Sequence, residues 1–103
     1  MPAYMIIHAK IHDRERFMSG YAPAASKLVA QHGGKYVLRA MGADVLEGDL
    51  PEGGSIVMSE WPDKAAALGF FNSPEYHEVK QLRNGVANVQ VVLVEAPQIN
   101  SED

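Results

Sequence analysis

The chain contains no cysteine. Disulfides, thiolate metal sites, iron–sulfur clusters and a cysteine nucleophile are therefore excluded. The fold must rest on packing alone, which suits a reducing compartment, and a cytoplasmic location is the expectation. Positive charge is scarce: 9 Lys and Arg against 13 Asp and Glu give a formal net charge of −4. Binding to nucleic acid or to an anionic membrane needs clustered positive charge, so neither partner is expected. Long apolar runs are also missing. The run from Ala3 to Ile7 is too short for a signal-peptide core and has no basic stretch before it. Nothing approaches the ~20 apolar residues that a membrane helix requires.

What remains is an ordinary globular composition: 47% hydrophobic and 21% charged residues in a chain of 103. That is too apolar for a disordered chain and too short for two cores. One α+β domain over residues 1–96 is expected, followed by a polar tail over 97–103.

Strand and helix signals alternate along the chain. AYMIIHAKIH, from Ala3 to His12, puts Met5, Ile7, Ala9 and Ile11 on one parity and Tyr4, Ile6, His8 and Lys10 on the other, as in a strand. Asp13 is a natural N-cap for a helical stripe of Phe17, Tyr21, Ala24, Leu28 and His32, which Gly33 and Gly34 end. Pro23 predicts an interruption of that helix near Gly20 to Pro23. Lys35 to Ala40 reads as a second strand, with a bulge at Gly42 and a continuation over Asp44 to Glu47. The turn formers of Gly48 to Gly54 then lead into a third strand, Ser55 to Trp61. Asp63 caps a helix over Lys64 to Phe71, and Ser73-Pro74 opens another that runs to about Arg83. Asn88 to Glu95 is the fourth strand.

The order strand, helix, strand, strand, helix, strand is the split pattern of ferredoxin-like folds: a four-stranded antiparallel sheet with both helices on one face. The strands carry apolar residues on both parities. The last has Val89, Val91 and Leu93 on one side and Val92 and Val94 on the other. A sheet wetted on its back would alternate cleanly. The chain has no residues left to cover that back, so a homodimer with sheets packed back to back is the expectation.

The segments HGGKYVLRAMGADVLEGD (His32 to Asp49), SEWPDKAAALGFFNSPEY (Ser59 to Tyr76) and KQLR (Lys80 to Arg83), with the opening AYMIIHAKIHD, resemble the bacterial family known as domain of unknown function 1330. The resemblance covers residues 3 to 96. Met41-Gly42 stands where that family often has a Gly-Gly pair. The family resembles the dimeric α/β-barrel superfamily, in which two ferredoxin-like protomers join their sheets. The resemblance therefore implies that architecture and implies no particular reaction.

Candidate chemistry is sparse. His8 and His12, four residues apart on a strand, are separated by roughly 13 Å, too far to share one metal ion. No metal site and no cofactor are expected. The serines have no nucleophile elbow, and the glycine pairs precede no helix that could hold a phosphate. His8, Arg39 and Glu60 each interrupt an apolar strand. Pairing of the second and third strands could set Arg39 opposite Glu60, within a residue or two of register. This reads either as a structural ion pair or as a polar anchor in a pocket, with Arg39 holding a carboxylate or carbonyl oxygen and His8 or Glu60 moving a proton. Tyr76, Lys80 and Arg83 share a helical stripe that could bring the Tyr76 hydroxyl and one cation to a pocket mouth. Trp61, Phe70 and Phe71 are its candidate apolar walls.

Two function classes fit these residues. One is a dimer that binds or transforms a small, partly apolar molecule, neutral or anionic, in the cleft between sheet and helices. The other is a non-catalytic interaction or metabolite-sensing module. A polar-lined cleft holding Arg39 and His8 would favour the first.

Overall fold

The computed structural model describes residues 1–97, and the tail expected over 97–103 lies outside them except for Pro97. Strand β1 (Ala3–Ile11) leads into a first helical segment, α1 (Arg14–Arg16). Asp13 caps it, its side chain accepting from the Arg16 amide at 3.1 Å. A π turn over Phe17–Tyr21 follows, closed by the Ala22 amide donating to the Phe17 carbonyl, and α2 (Ala22–Gln31) continues the rod. The interruption expected near Gly20 to Pro23 takes this form. The widened turn lies directly before Pro23, whose ring would crowd the carbonyl four residues back in an unbroken α-helix.

The remaining elements are β2 (Lys35–Ala40), β3 (Ser55–Trp61), α3 (Lys64–Phe71), α4 (Pro74–Lys80) with a 3₁₀ turn over Gln81–Arg83, and β4 (Ala87–Glu95). Asp63 and Ser73 cap α3 and α4 by accepting from the amides of Ala66 and Tyr76. The sheet is antiparallel throughout, in the order β2-β3-β1-β4. This is the ferredoxin-like arrangement. Among the described residues no helix is long and apolar enough to cross a membrane.

Register divides the strands into two faces. Met5, Ile7 and Ala9 of β1 lie in line with Ser59, Val57 and Ser55 of β3 and with Leu93, Val91 and Val89 of β4. Met5 joins the core formed with the helices, in which Leu28, Val29, Trp61, Phe70 and Tyr76 are buried. The rear face is ordered in rows across all four strands. Leu38, Met58, Ile6 and Val92 form one apolar row, and Lys35, Glu60, Tyr4 and Val94 form the next.

Two details of β2 differ from expectation. The bulge is at Val37, not Gly42: Tyr36 pairs with Ser59 and Leu38 with Met58, leaving Val37 as the extra residue. Residues 44–47 do not continue the strand. Gly42, at φ +75°, instead opens a loop. That loop folds over one end of the rear face. Lys10 donates to the Glu52 carbonyl at 2.6 Å, and His8 Nε2 lies 3.3 Å from the Pro51 carbonyl oxygen.

Candidate functional site

A cavity of about 220 Å³ lies between the helix-facing side of the sheet and the first helical rod. Its walls are mainly aliphatic and aromatic, contributed by β1, β3 and β4 below and by Phe17, Ala25 and Phe70 above. Its lining also includes two solvent-exposed arginines, Arg14 and Arg39, and three tyrosines, Tyr21, Tyr36 and Tyr76. Among the described residues no aspartate, glutamate or lysine lines it. In a chain with net charge −4, a cavity bordered by two cations and by no acid carries local charge opposite in sign to that of the whole chain.

The polar groups are held from behind. Tyr21 Oη and Tyr76 Oη are 2.6 Å apart. Arg83 Nη1 donates to both, at 3.0 Å to Tyr21 and 3.2 Å to Tyr76. Tyr21 comes from the π turn, Tyr76 from the first turn of α4, and Arg83 from the 3₁₀ turn that ends it. Burial pushes the Tyr21 phenol well above the ordinary phenol range; the neighbouring Tyr76 adds to this, and Arg83 opposes it. Burial also raises the Tyr36 phenol, against hydrogen bonding from the Ser26 hydroxyl and the pull of Arg39. The Arg39 guanidinium stacks over the Tyr36 ring at 4.7 Å and reaches Ser26 Oγ at 3.5 Å. Arg14 Nη1 lies 3.6 Å from the sulfur of Met41.

The candidate side chains divide among several places. Arg39 and Tyr76 line the cavity, and Arg83 braces Tyr76. Phe70 is a wall, whereas Trp61 and Phe71 are not. Trp61 is buried in the core, donating to Ser59 Oγ at 2.9 Å and packing on Phe70 at 5.1 Å. Phe71 packs on Tyr76, and the Lys80 ammonium lies over the Phe71 ring. Glu60 does not pair with Arg39. The register sets Arg39 opposite Val57 and Glu60 opposite Lys35, on opposite faces of the sheet. Glu60 instead bonds Lys35 and accepts from the Tyr4 hydroxyl, each at 3.1 Å. These two donors hold its carboxyl below the usual carboxylate range. His8 is buried on the rear face under the loop, so Arg39 and His8 do not share a cleft.

Arg14, Tyr21 and Tyr36 are cavity groups that the residue pattern does not single out. For Tyr21 a signal exists: it puts a hydroxyl among Phe17, Ala24 and Leu28 of the helical stripe, two residues before Pro23. A second, broad depression runs along Met1, Lys35, Glu60 and Pro62, but its charged groups are already paired with each other.

Comparison with solved structures gives the same fold at low sequence identity. A protein of unknown function from Rhodopseudomonas palustris, RPA0582, superposes with a TM-score of 0.75 at 18% identity, covering 95% of this chain and 84% of that one. A dimeric ferredoxin-like protein of unknown function from Jannaschia sp. CCS1 gives 0.71 at 14% identity, covering 93% of this chain and 100% of that one. SnoaB, a cofactor-independent oxygenase from Streptomyces nogalater, gives 0.69 at 14%, with 97% of each chain covered. No curated protein is detectably similar in sequence. The family profile described as "Domain of unknown function (DUF1330)" matches residues 2–97, nearly the whole chain, and the protein belongs to that family.

Proposed function

We propose that this protein is a homodimer that binds, and in one reading transforms, a compact organic molecule in the cavity between sheet and helices. The molecule is largely apolar and carries an anionic or strongly accepting oxygen. One observation carries the reading: a largely aliphatic cavity is bordered by the exposed Arg14 and Arg39 and lined by three tyrosines, with no acidic side chain among the lining residues described. Two solvent-exposed arginines bordering the cavity favour an anionic or accepting oxygen, and the walls favour a hydrocarbon body. At about 220 Å³ the cavity is below the ~300–1,000 Å³ typical of sites for drug-sized ligands, so the ligand is small. The homodimer is supported by the uncovered apolar row on the rear face and by the dimeric relative from Jannaschia. A small organic substrate accords with the oxygenase SnoaB having the same fold, although fold alone does not assign chemistry.

The test is a thermal-shift screen with metabolites, since a ligand bound only by the native state raises the melting temperature. A small carboxylate or enol is expected among the hits. Arg39→Ala should remain dimeric and lose the shift. A shift unchanged in that variant would remove Arg39 from the site.

A further inference from the structure

Counting protons in the phenol cluster narrows the ligand further. Tyr21 and Tyr76 bring two hydroxyl protons. One is used in the bond between their oxygens, 2.6 Å apart. Neither can go to Arg83, because a guanidinium only donates, and its Nη1 already donates to both oxygens. No other acceptor for either hydroxyl occurs among the described residues. The second proton is therefore left over, on whichever phenol accepts within the pair. Both tyrosines are lining residues of the cavity, Tyr76 buried and Tyr21 half-buried. We infer that the Tyr21–Tyr76 pair, braced by Arg83, is a hydrogen-bond donor aimed into the cavity, and that the ligand places a carbonyl or deprotonated oxygen there.

This inference rests on the cavity being the ligand site and goes beyond it in two ways. It fixes which end of the cavity receives the oxygen, and it makes an acceptor, not charge as such, the requirement at that end. A ligand offering only a donor would leave the spare phenol proton unpaired in a desolvated place. A site built to hydrogen-bond one group discriminates strongly against an analogue without it.

Three probes of one shape test it by titration calorimetry: ethylbenzene, acetophenone and benzoate. An engineered apolar cavity of ~150 Å³ admits benzene, so rings of this size fit. Acetophenone differs from ethylbenzene by a carbonyl oxygen and carries no charge, so it isolates the acceptor requirement. It should bind about tenfold more tightly than ethylbenzene, the scale of one well-placed hydrogen bond. Tyr21→Phe and Tyr76→Phe should each retain much of that preference, because the surviving phenol still has a proton to donate. The double variant should lose it while binding ethylbenzene as before. As a readout that needs no variant, the carbonyl stretch of bound acetophenone should move to lower frequency in the native protein.

If ethylbenzene and acetophenone bind equally and the stretch does not move, the inference is wrong while the cavity remains a ligand site. If the double variant keeps the preference, the acceptor is held elsewhere and the inference is equally wrong. If none of the three probes binds, the cavity reading itself falls and takes the inference with it.

Discussion

The indole of Trp61 lies against the backbone of Gly34 so closely that a Cβ there would come within 2.7 Å of its six-membered ring. Gly34 follows the end of α2, and Trp61 ends β3, so this contact ties the first helical rod to the centre of the sheet. Trp61 is buried on Phe70, which packs on Tyr76 at 4.5 Å, so the same contact also anchors one wall of the cavity. Gly34→Ala should therefore destabilise the fold by about 1–3 kcal/mol through overpacking. The check is the thermal midpoint of the variant. A midpoint equal to that of the native chain would mean that the indole can move aside freely.

Much of this arrangement follows from short-range chemistry and is legible in the sequence. Asp13, Asp63 and Ser73 each sit one residue before a helix and bond an amide three residues on, and such caps can be read from local order alone. Parity along β1 and β4 likewise assigns their two faces. What is not legible is the register of β2. Lys35 pairs with Glu60, and without the bulge at Val37 the same register would set Arg39 opposite Ile56, on the face of Lys35. The extra residue turns Arg39 over to the cavity side and leaves Glu60 behind. No turn residue marks the bulge, since Val37 is an ordinary strand former. The phenol cluster is hidden for a related reason: Tyr21 and Tyr76 are 55 residues apart and meet only once both helices pack on the sheet. The spacing of Tyr76 and Arg83 on one stripe gives half of the cluster, and tertiary packing supplies the rest.

On the rear face, the acid–base balance of Glu60 gives a pH signature. The Lys35 ammonium, and after it the Tyr4 hydroxyl, depress the Glu60 pKa in the folded protein. A carboxyl depressed on folding adds stability above its unfolded value, about 4.3, and that stability is lost as pH falls through the folded value. Urea midpoints measured across the acid range should fall more steeply for the native chain than for Glu60→Gln. The difference will be small, because Lys35 is largely exposed and such pairs contribute little. Parallel acid limbs would show that the row Lys35, Glu60, Tyr4 contributes nothing through ionisation.

The cavity phenol Tyr21 works in the opposite direction. Its folded pKa is raised, by burial first and by Tyr76 second. Its contribution is fully present below the unfolded phenol value, about 10, and is lost as pH rises from there toward the folded value. Stability should therefore drop on the alkaline side, and Tyr21→Phe should make that drop shallower. Tyr36 and Tyr4 are shifted the same way, so part of the slope should persist. Phenolate absorbance followed alongside denaturation is the check: in the native chain, part of it should appear only as the fold is lost. Ionisation of Tyr21 near the ordinary phenol value in a still-folded protein would contradict its enclosed position.

The rear face supplies the last expectation. The loop after β2 covers the end of that face at His8 and Lys10 and leaves the apolar row open. Val92 is 55% exposed, Leu38 43% and Val94 40%, while Ile6 and Met58 between them are only partly covered. A contiguous apolar surface on a sheet is a site for association, and a two-fold axis lets the same row meet itself in a second copy. Val92 lies opposite Ile6 in the register, so a carboxylate there would be buried unpaired against its counterpart. The native chain should sediment as a dimer at micromolar concentration, and Val92→Glu should sediment as a folded monomer. The variant's cavity faces the other way and should be intact, so its circular dichroism should be native. A native chain that sediments as a monomer would leave the open row without a partner and would remove the dimer from the proposed function.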